Sequence, residues 1–279
     1  TLTQVKAMML VTVWVFIGVE GASVFSERAR ERRDVGRATI TGFASVLALL
    51  LLVNLLSYGI APREDIAELD DPSMSGVLTE AVGPWGAKFI AAGLAISLIG
   101  ALLSWFLMCA EILRVPALDG TMPRWFSREN KNGTPVGAMW LTSGMIQLVL
   151  IWTYFVGSNY TRLILLASAL ILIPYLFSAA FHLINSFRSR EGSGIGNIII
   201  GTLGTAYAIW LLYAAGPTYL LFVGLFYLAG TPFYIVARKQ AGEKIFTTID
   251  WIVLAIFSLT SVYAIYGLYM GFYADALSG

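Results

Sequence analysis

Residues 86–110 read GAKFIAAGLAISLIGALLSWFLMCA, with Lys88 the only charge. About 20 consecutive apolar residues let a helix, rising 1.5 Å per residue, cross the ~30 Å hydrocarbon core of a bilayer. Stretches of the same kind lie on both sides, giving eight candidate spans at roughly 7–25, 38–60, 86–110, 136–157, 161–186, 195–214, 218–237 and 248–272. Each is continuously apolar, whereas a membrane β-barrel shows short alternating segments. Only Ser158-Asn159-Tyr160 parts the fourth and fifth spans, and Gly216-Pro217 punctuates the sixth and seventh. The fold class expected is all-α, a polytopic transmembrane helix bundle, with residues 1–279 forming a single transmembrane domain.

Composition supports this class. Hydrophobic residues make up 58% of the 279 and charged residues 13%, against about 45–50% apolar and 25% charged in a soluble domain. So few charges cannot cover so large a core, and the surplus apolar surface needs lipid. Net charge is +1, so no global field recruits nucleic acid or an acidic partner. One cysteine, Cys109, and one histidine, His182, exclude an intrachain disulfide and a cysteine metal framework. They also argue against hydrolases that need clustered Cys, His or metal ligands. No glycine-rich phosphate cradle followed by Lys-Ser or Lys-Thr is present. No cofactor or metal is expected.

Basic residues set the orientation, because cytoplasmic loops collect Lys and Arg. Fourteen of the eighteen fall in alternate loops: Arg28, Arg30, Arg32, Arg33 and Arg37; Arg114, Arg124, Arg128 and Lys131; Arg188 and Arg190; Arg238, Lys239 and Lys244. The other side holds Lys6, Arg63, Lys88 and Arg162. Residues 26–37 and 114–134 are therefore expected in the cytoplasm. The chain opens Thr1-Leu2-Thr3 without a methionine, and a span begins within ten residues. No cleavable signal pattern is visible; with residues 26–37 cytoplasmic the start of the chain lies outside, so an odd number of spans is expected ahead of Thr1 if the protein begins in the cytoplasm. The outer loop at 61–85 carries Glu64, Asp65, Glu68, Asp70, Asp71 and Glu80 against Arg63. It reads as a solvated loop, whose field is screened over about 8 Å at physiological salt.

Some residues break the rule for lipid. Residues 14–23 read WVFIGVEGAS. A carboxylate here costs several kcal/mol unless paired, hydrated or protonated, and such residues default to function. Gly18 and Gly21 flank Glu20 and either let the helix unwind, as at midplane sites of secondary transporters, or permit close helix packing. Trp85, Trp125 and Trp251 fit the interfacial belt. Trp105, inside the third span, fits it poorly; its indole could hold a guanidinium or ammonium by cation–π attraction of about 0.5–2 kcal/mol. Ser168 and Tyr175, seven residues apart, share one helical face around Pro174, and polar glue between helices is their plain alternative. Glu111 is expected at the cytoplasmic interface and His182 as a packing residue. Pro232 reads as a kink in the seventh span. Residues 117–136 mix basic, aromatic and turn residues and suggest a cytoplasmic interfacial helix.

The stretch 14–23 resembles the sixth span of the amino acid–polyamine–organocation transporters, specifically the basic amino acid/polyamine antiporters. Trp105, the Asp119–Pro123 run DGTMP and the Gly133–Val136 run GTPV resemble their eighth span and the loop after it. Within that family, VFSERAR at 24–30 and CAEIL at 109–113 point to exchange of arginine for ornithine. The resemblance covers the whole chain in span order and is specific in these stretches. It implies a LeuT-like fold of two inverted five-span repeats (5+5), of which this chain would hold the second repeat and the C-terminal helices. It also implies a substrate site at the bilayer midplane. Trp14 would stack on the substrate side chain, Ile17 would offer backbone contact at an unwound stretch, and Glu20 would tune the charge. Trp105 would cover the aliphatic part of the substrate. Ser168 and Tyr175 are matched by helix position alone.

The partners implied are arginine, ornithine and the lipid bilayer of a bacterial inner membrane, with a homodimer left open and no nucleic acid. A lysine, polyamine or agmatine exchanger, a proton-coupled importer, and a non-transporting scaffold or sensor remain as alternatives. A membrane enzyme is disfavoured by the single histidine.

Overall fold

The computed structural model describes residues 2–70, 72–156, 160–188 and 194–270. Its helices are α1 (Leu2–Phe16), α2 (Gly21–Val24), α3 (Arg32–Tyr58), α4 (Arg63–Ala67), α5 (Ser73–Val82), α6 (Trp85–Leu118), α7 (Val136–Val156), α8 (Tyr160–Arg188), α9 (Ile195–Ala241) and α10 (Thr248–Tyr269). Among the described residues no strand forms, and one isolated β-bridge joins Glu129 to Pro135. The fold is all-α, as the apolar runs predict. Seven helical segments among the described residues are long and apolar enough to cross a membrane. The first expected span is the exception. Its helix stops at Phe16, and only a short apolar helix, Gln4–Phe16, precedes the stop.

The boundary between the sixth and seventh spans falls where Gly216-Pro217 places it. α9 has 47 residues, about 70 Å of rise if straight, far more than one bilayer crossing needs. Gly216 breaks it at φ 78°, ψ 164°, and the two candidate spans are Ile195–Gly216 and Tyr219–Ala241. Ser158 and Asn159 of the expected tight turn, Arg190 and Asp71 lie outside the described residues, as does the side chain of Arg162.

The chain divides into two compact units. One comprises residues 1–17, 117–124 and 146–279. In it α8 packs along α9, α9 along α10, and α1 lies on both α8 and α9. Its buried core is Leu10, Val13, Leu172, Leu211 and Ala215. A small residue allows close approach of α8 and α9: a Cβ at Gly201 would lie 2.9 Å from the Cα of Leu183. Membrane helices associate through such small-residue contacts, since lipid offers no hydrophobic drive between them. Lys6 solves its own burial problem on α1, its ammonium sitting 4.3 Å from the centroid of the Tyr213 ring.

The second unit comprises residues 18–116 and 125–145. α2 packs on α3. The most apolar stretches of α3 and α6 have none of their residues buried in the chain. Leu49, Leu52, Leu55 and Leu56 on α3 and Ile96, Ile99 and Leu103 on α6 are all exposed. A surface of this kind belongs in lipid or against other helices. In the expected outer loop, α4 and α5 are short, and Glu64, Asp65, Glu68, Asp70 and Glu80 are exposed as a solvated loop requires.

Residues 117–136 do not form the interfacial α-helix expected. A 3₁₀ turn at Arg124–Ser127 and a tight loop closed by Asn130 N–H on the Thr134 carbonyl (3.0 Å) take its place. Pro123 and Pro135 cannot donate to a helix ladder, which explains the irregular path. His182 is exposed on α8 rather than packed.

Replacing Gly201 by valine should destabilise the protein by about 1–3 kcal/mol, the usual cost of overpacking. Gly196→Ala, where nothing lies within 4 Å of the new carbon, should leave stability unchanged. Denaturant unfolding in detergent compares the two.

Candidate functional site

The second unit holds the carboxylate that sequence reasoning singled out. The regular ladder of α1 ends with Ile17 N–H on the Val13 carbonyl (3.0 Å) and resumes with Val24 N–H on the Glu20 carbonyl (3.3 Å). Between them Gly18 adopts φ 104°, a left-handed conformation that only glycine takes cheaply. Its N–H, released from the helix, donates to Glu20 Oε2 at 2.9 Å. The Ser23 hydroxyl donates to the Glu20 carbonyl at 2.6 Å. The carboxylate thus replaces a lost backbone acceptor, as charge-assisted hydrogen bonds do well.

α6 covers this break. A Cβ on Gly18 would meet Trp105 Cζ2 at 3.1 Å, and one on Gly21 would meet Met108 Sδ at 3.3 Å. The two glycines therefore do both things their sequence context allows: Gly18 unwinds the chain, and both admit a bulky side chain of α6. Trp105 remains 39% exposed and packs at the break.

One helix turn beyond Met108 on α6 lies an ion network that sequence reasoning missed. Glu111, expected at the interface, is 3% exposed. Arg28 grips it with two bonds, Nε to Oε1 and Nη2 to Oε2, each 3.2 Å. Arg114 Nη1 donates to Glu111 Oε1 at 3.1 Å, and its Nε donates to Glu129 Oε1 at 2.6 Å. Glu27 lies 3.6 Å from the same Nη1. The hydrogen bond to Glu111 raises the pKa of Arg28 above its ordinary value. A buried carboxylate needs such partners. The i,i+3 spacing of Glu111 and Arg114 was the available signal.

In the first unit, Trp14 is half-buried, and Ile17 packs against the core cluster that contains Leu172 of α8. α8 carries the other two expected site residues. Ser168 is fully buried, and its hydroxyl has no hydrogen-bond partner among the described residues. Tyr175 is half-buried two turns further on. Between them Pro174 removes the hydrogen bond that the Leu170 carbonyl would accept in a regular helix. The Tyr227 hydroxyl of α9 donates to that carbonyl at 3.1 Å. The first unit thus brings Ile17 to the helix of Ser168 and Tyr175, and the second brings Trp105 to Gly18, whose N–H the Glu20 carboxylate accepts.

The break thus holds a carboxylate within an apolar stretch, with the Trp105 indole against its glycine. The amino acid permease family matches over residues 2–272, and the chain belongs to it; it is a multi-pass membrane protein. Among its relatives, the arginine/ornithine antiporter of Pseudomonas aeruginosa is 46% identical, over 97% of this chain and 58% of the relative. The L-lysine transport protein of Corynebacterium glutamicum is 37% identical, over 96% and 57%. The arginine/agmatine antiporter of Chlamydia pneumoniae is 37% identical, over 94% and 56%. The chain therefore spans somewhat over half the length of these relatives. No solved structure matches it.

Two outcomes follow. Glu111→Ala should cost about 1–3 kcal/mol, because it removes the buried acceptor that Arg28 and Arg114 share and leaves Arg114 only Glu129 and Glu27, whereas Arg28→Ala should cost about 1 kcal/mol or less, since Glu111 keeps Arg114; unfolding midpoints in detergent separate them. Gly18→Ala should cost about 1–3 kcal/mol through its positive φ. Adding Trp105→Ala should relieve only the steric part, which a double-mutant cycle reads out.

Proposed function

We propose that this chain forms part of a secondary transporter, not an enzyme, that exchanges cationic amino acids across a bacterial inner membrane, arginine for ornithine, by alternating access. The observation that carries the reading is the helix break at Gly18, with the Glu20 carboxylate held inside it. Intramembrane ionisable groups mark solute pathways, and discontinuous helices line midplane sites in transporters. The name of the Pseudomonas relative supports the substrate pair.

In this reading Trp14 stacks on the substrate, the Ile17 backbone contacts it, and Glu20 sets the local charge. Trp105 covers the aliphatic stem of the substrate. The orphan hydroxyl of Ser168 supports a polar contact, since a buried unpaired group costs about 1–3 kcal/mol unless a ligand satisfies it. Tyr175 lines the same helix. Residues 26–37 and 114–134 face the cytoplasm, and the chain is one transmembrane domain holding the second of two inverted repeats, with a homodimer as a candidate assembly. A second reading, lysine transport, is favoured by the Corynebacterium relative.

The test uses the protein at its natural full length in liposomes loaded with ornithine, following labelled arginine uptake. Uptake should require internal ornithine. Trp105→Leu should lower it roughly 2- to 30-fold, the equivalent of the 0.5–2 kcal/mol of a cation–π contact. Uptake indifferent to internal ornithine would overturn the exchange, and trans-stimulation by lysine alone would favour the second reading.

A further inference from the structure

A cavity of about 320 Å³ lies between the second half of α9 and the start of α10. Tyr227, Gly230 and Tyr234 line it from α9; Asp250 and Phe257 line it from α10, and Phe246 from the loop between them. On each helix the lining residues recur at three, four and seven positions, so each presents one face. The rings form two pairs: Tyr227 with Phe257 at 5.3 Å between centroids, and Tyr234 with Phe246 at 6.1 Å. Between the pairs sits one carboxylate. Asp250 Oδ2 accepts from the Thr247 N–H and hydroxyl, each at 2.7 Å; the Tyr234 hydroxyl also bonds to Asp250, and the Arg238 charge acts on it from beyond 4 Å, with no cation within 4 Å of it among the described residues. Aromatic rings beside a carboxylate that has no cation in direct contact are chemistry that binds an organic ammonium ion.

The surroundings select the rest of the ligand. The cavity lies where two candidate spans end, Tyr219–Ala241 and Thr248–Gly267, joined by a six-residue loop. Tyr234, Phe246 and Asp250 stand near these ends, the depth of lipid headgroups, while Tyr227 and Phe257 reach further into the spans. Beside it on α10, Ile249, Ile252 and Ile256 are 72%, 57% and 52% exposed, an apolar flank suited to an acyl chain. The loop carries basic groups. Arg238 lies 5.9 Å from the Tyr234 ring and pairs with Glu243, while its Nε donates to the Lys244 carbonyl at 3.0 Å. Lys239 and Lys244 are exposed and suit a phosphate at the membrane surface.

We infer that this cavity binds a zwitterionic phospholipid bearing a primary ammonium, phosphatidylethanolamine, with the ammonium between the rings and Asp250 and the phosphate toward Lys239 and Lys244. A primary ammonium offers N–H donors to the carboxylate; a quaternary one does not. The site is independent of the transport reading, and its test needs no transport.

The test measures thermal unfolding of the natural full-length protein in detergent, titrated with short-chain phosphatidylethanolamine, phosphatidylcholine, phosphatidylglycerol and free phosphoethanolamine. Phosphatidylethanolamine should raise the midpoint at about tenfold lower concentration than phosphatidylcholine, a difference of one good polar contact. Asp250→Asn should erase that preference. Because Asp250 also caps α10, Gly230→Leu is the second variant. It fills the cavity, where nothing lies within 4 Å of the added carbon, leaves the cap intact, and should abolish the shift. An equal shift with phosphatidylglycerol would reduce the effect to the basic loop, and an equal shift with free phosphoethanolamine would make it a soluble-amine site. Either result, or a full shift in Gly230→Leu, overturns the inference.

Discussion

A peptide N–H or carbonyl freed from a helix inside hydrocarbon has no water to turn to, and leaving it bare costs several kcal/mol. The irregular points of this chain are organised around that constraint. At the break after α1, the amide of Gly18 is taken by the carboxylate of Glu20. At Pro174, the carbonyl of Leu170 is taken by the hydroxyl of Tyr227. In each case a side chain of definite chemistry stands where a backbone group would stand in a regular helix. The same constraint explains why a carboxylate is tolerated at residue 20: the backbone supplies its partner.

The energetic consequence is that the break is a built feature and not a frayed end. Gly18 holds a conformation that other residues adopt only at a cost of about 1–3 kcal/mol, and Trp105 packs against it so closely that a methyl group would sit 3.1 Å from the indole. Further along, the turn at Ser26–Arg28 is fixed to α6 by the two bonds from Arg28 to Glu111. The segment that follows the break is thus held at both ends within its unit: by an indole against glycine at one end and by paired charges at the other. Geometry held this way is what a binding site needs if it is to be specific.

Much of this was legible in the residues. Apolar runs long enough to span a bilayer located seven of the eight expected spans, with ends up to eight positions off, the first being cut short at Phe16, and Gly216-Pro217 marked the bend of α9. The composition excluded a soluble enzyme. Glu20 between two glycines, and Trp105 within an apolar run, stood out because lipid makes such residues expensive. Glu111 did not stand out: in a sequence, a carboxylate near the end of a span looks like an interfacial residue. Residues 117–136 likewise read as an amphipathic helix until their prolines and turn hydrogen bonds were seen in place.

The difference has a physical reason. Hydropathy and span length are sums over neighbouring residues, so the sequence by itself determined that the chain is a set of membrane-crossing helices and where one of them is strained. Partnership is a matter of distance between residues far apart in the chain. Only the tertiary structure decided that Arg28 meets Glu111 across 83 positions, that Tyr227 meets Leu170 across 57, and that Asp250 faces a ring of aromatics, because each of these depends on how helices pack and not on what any one of them contains.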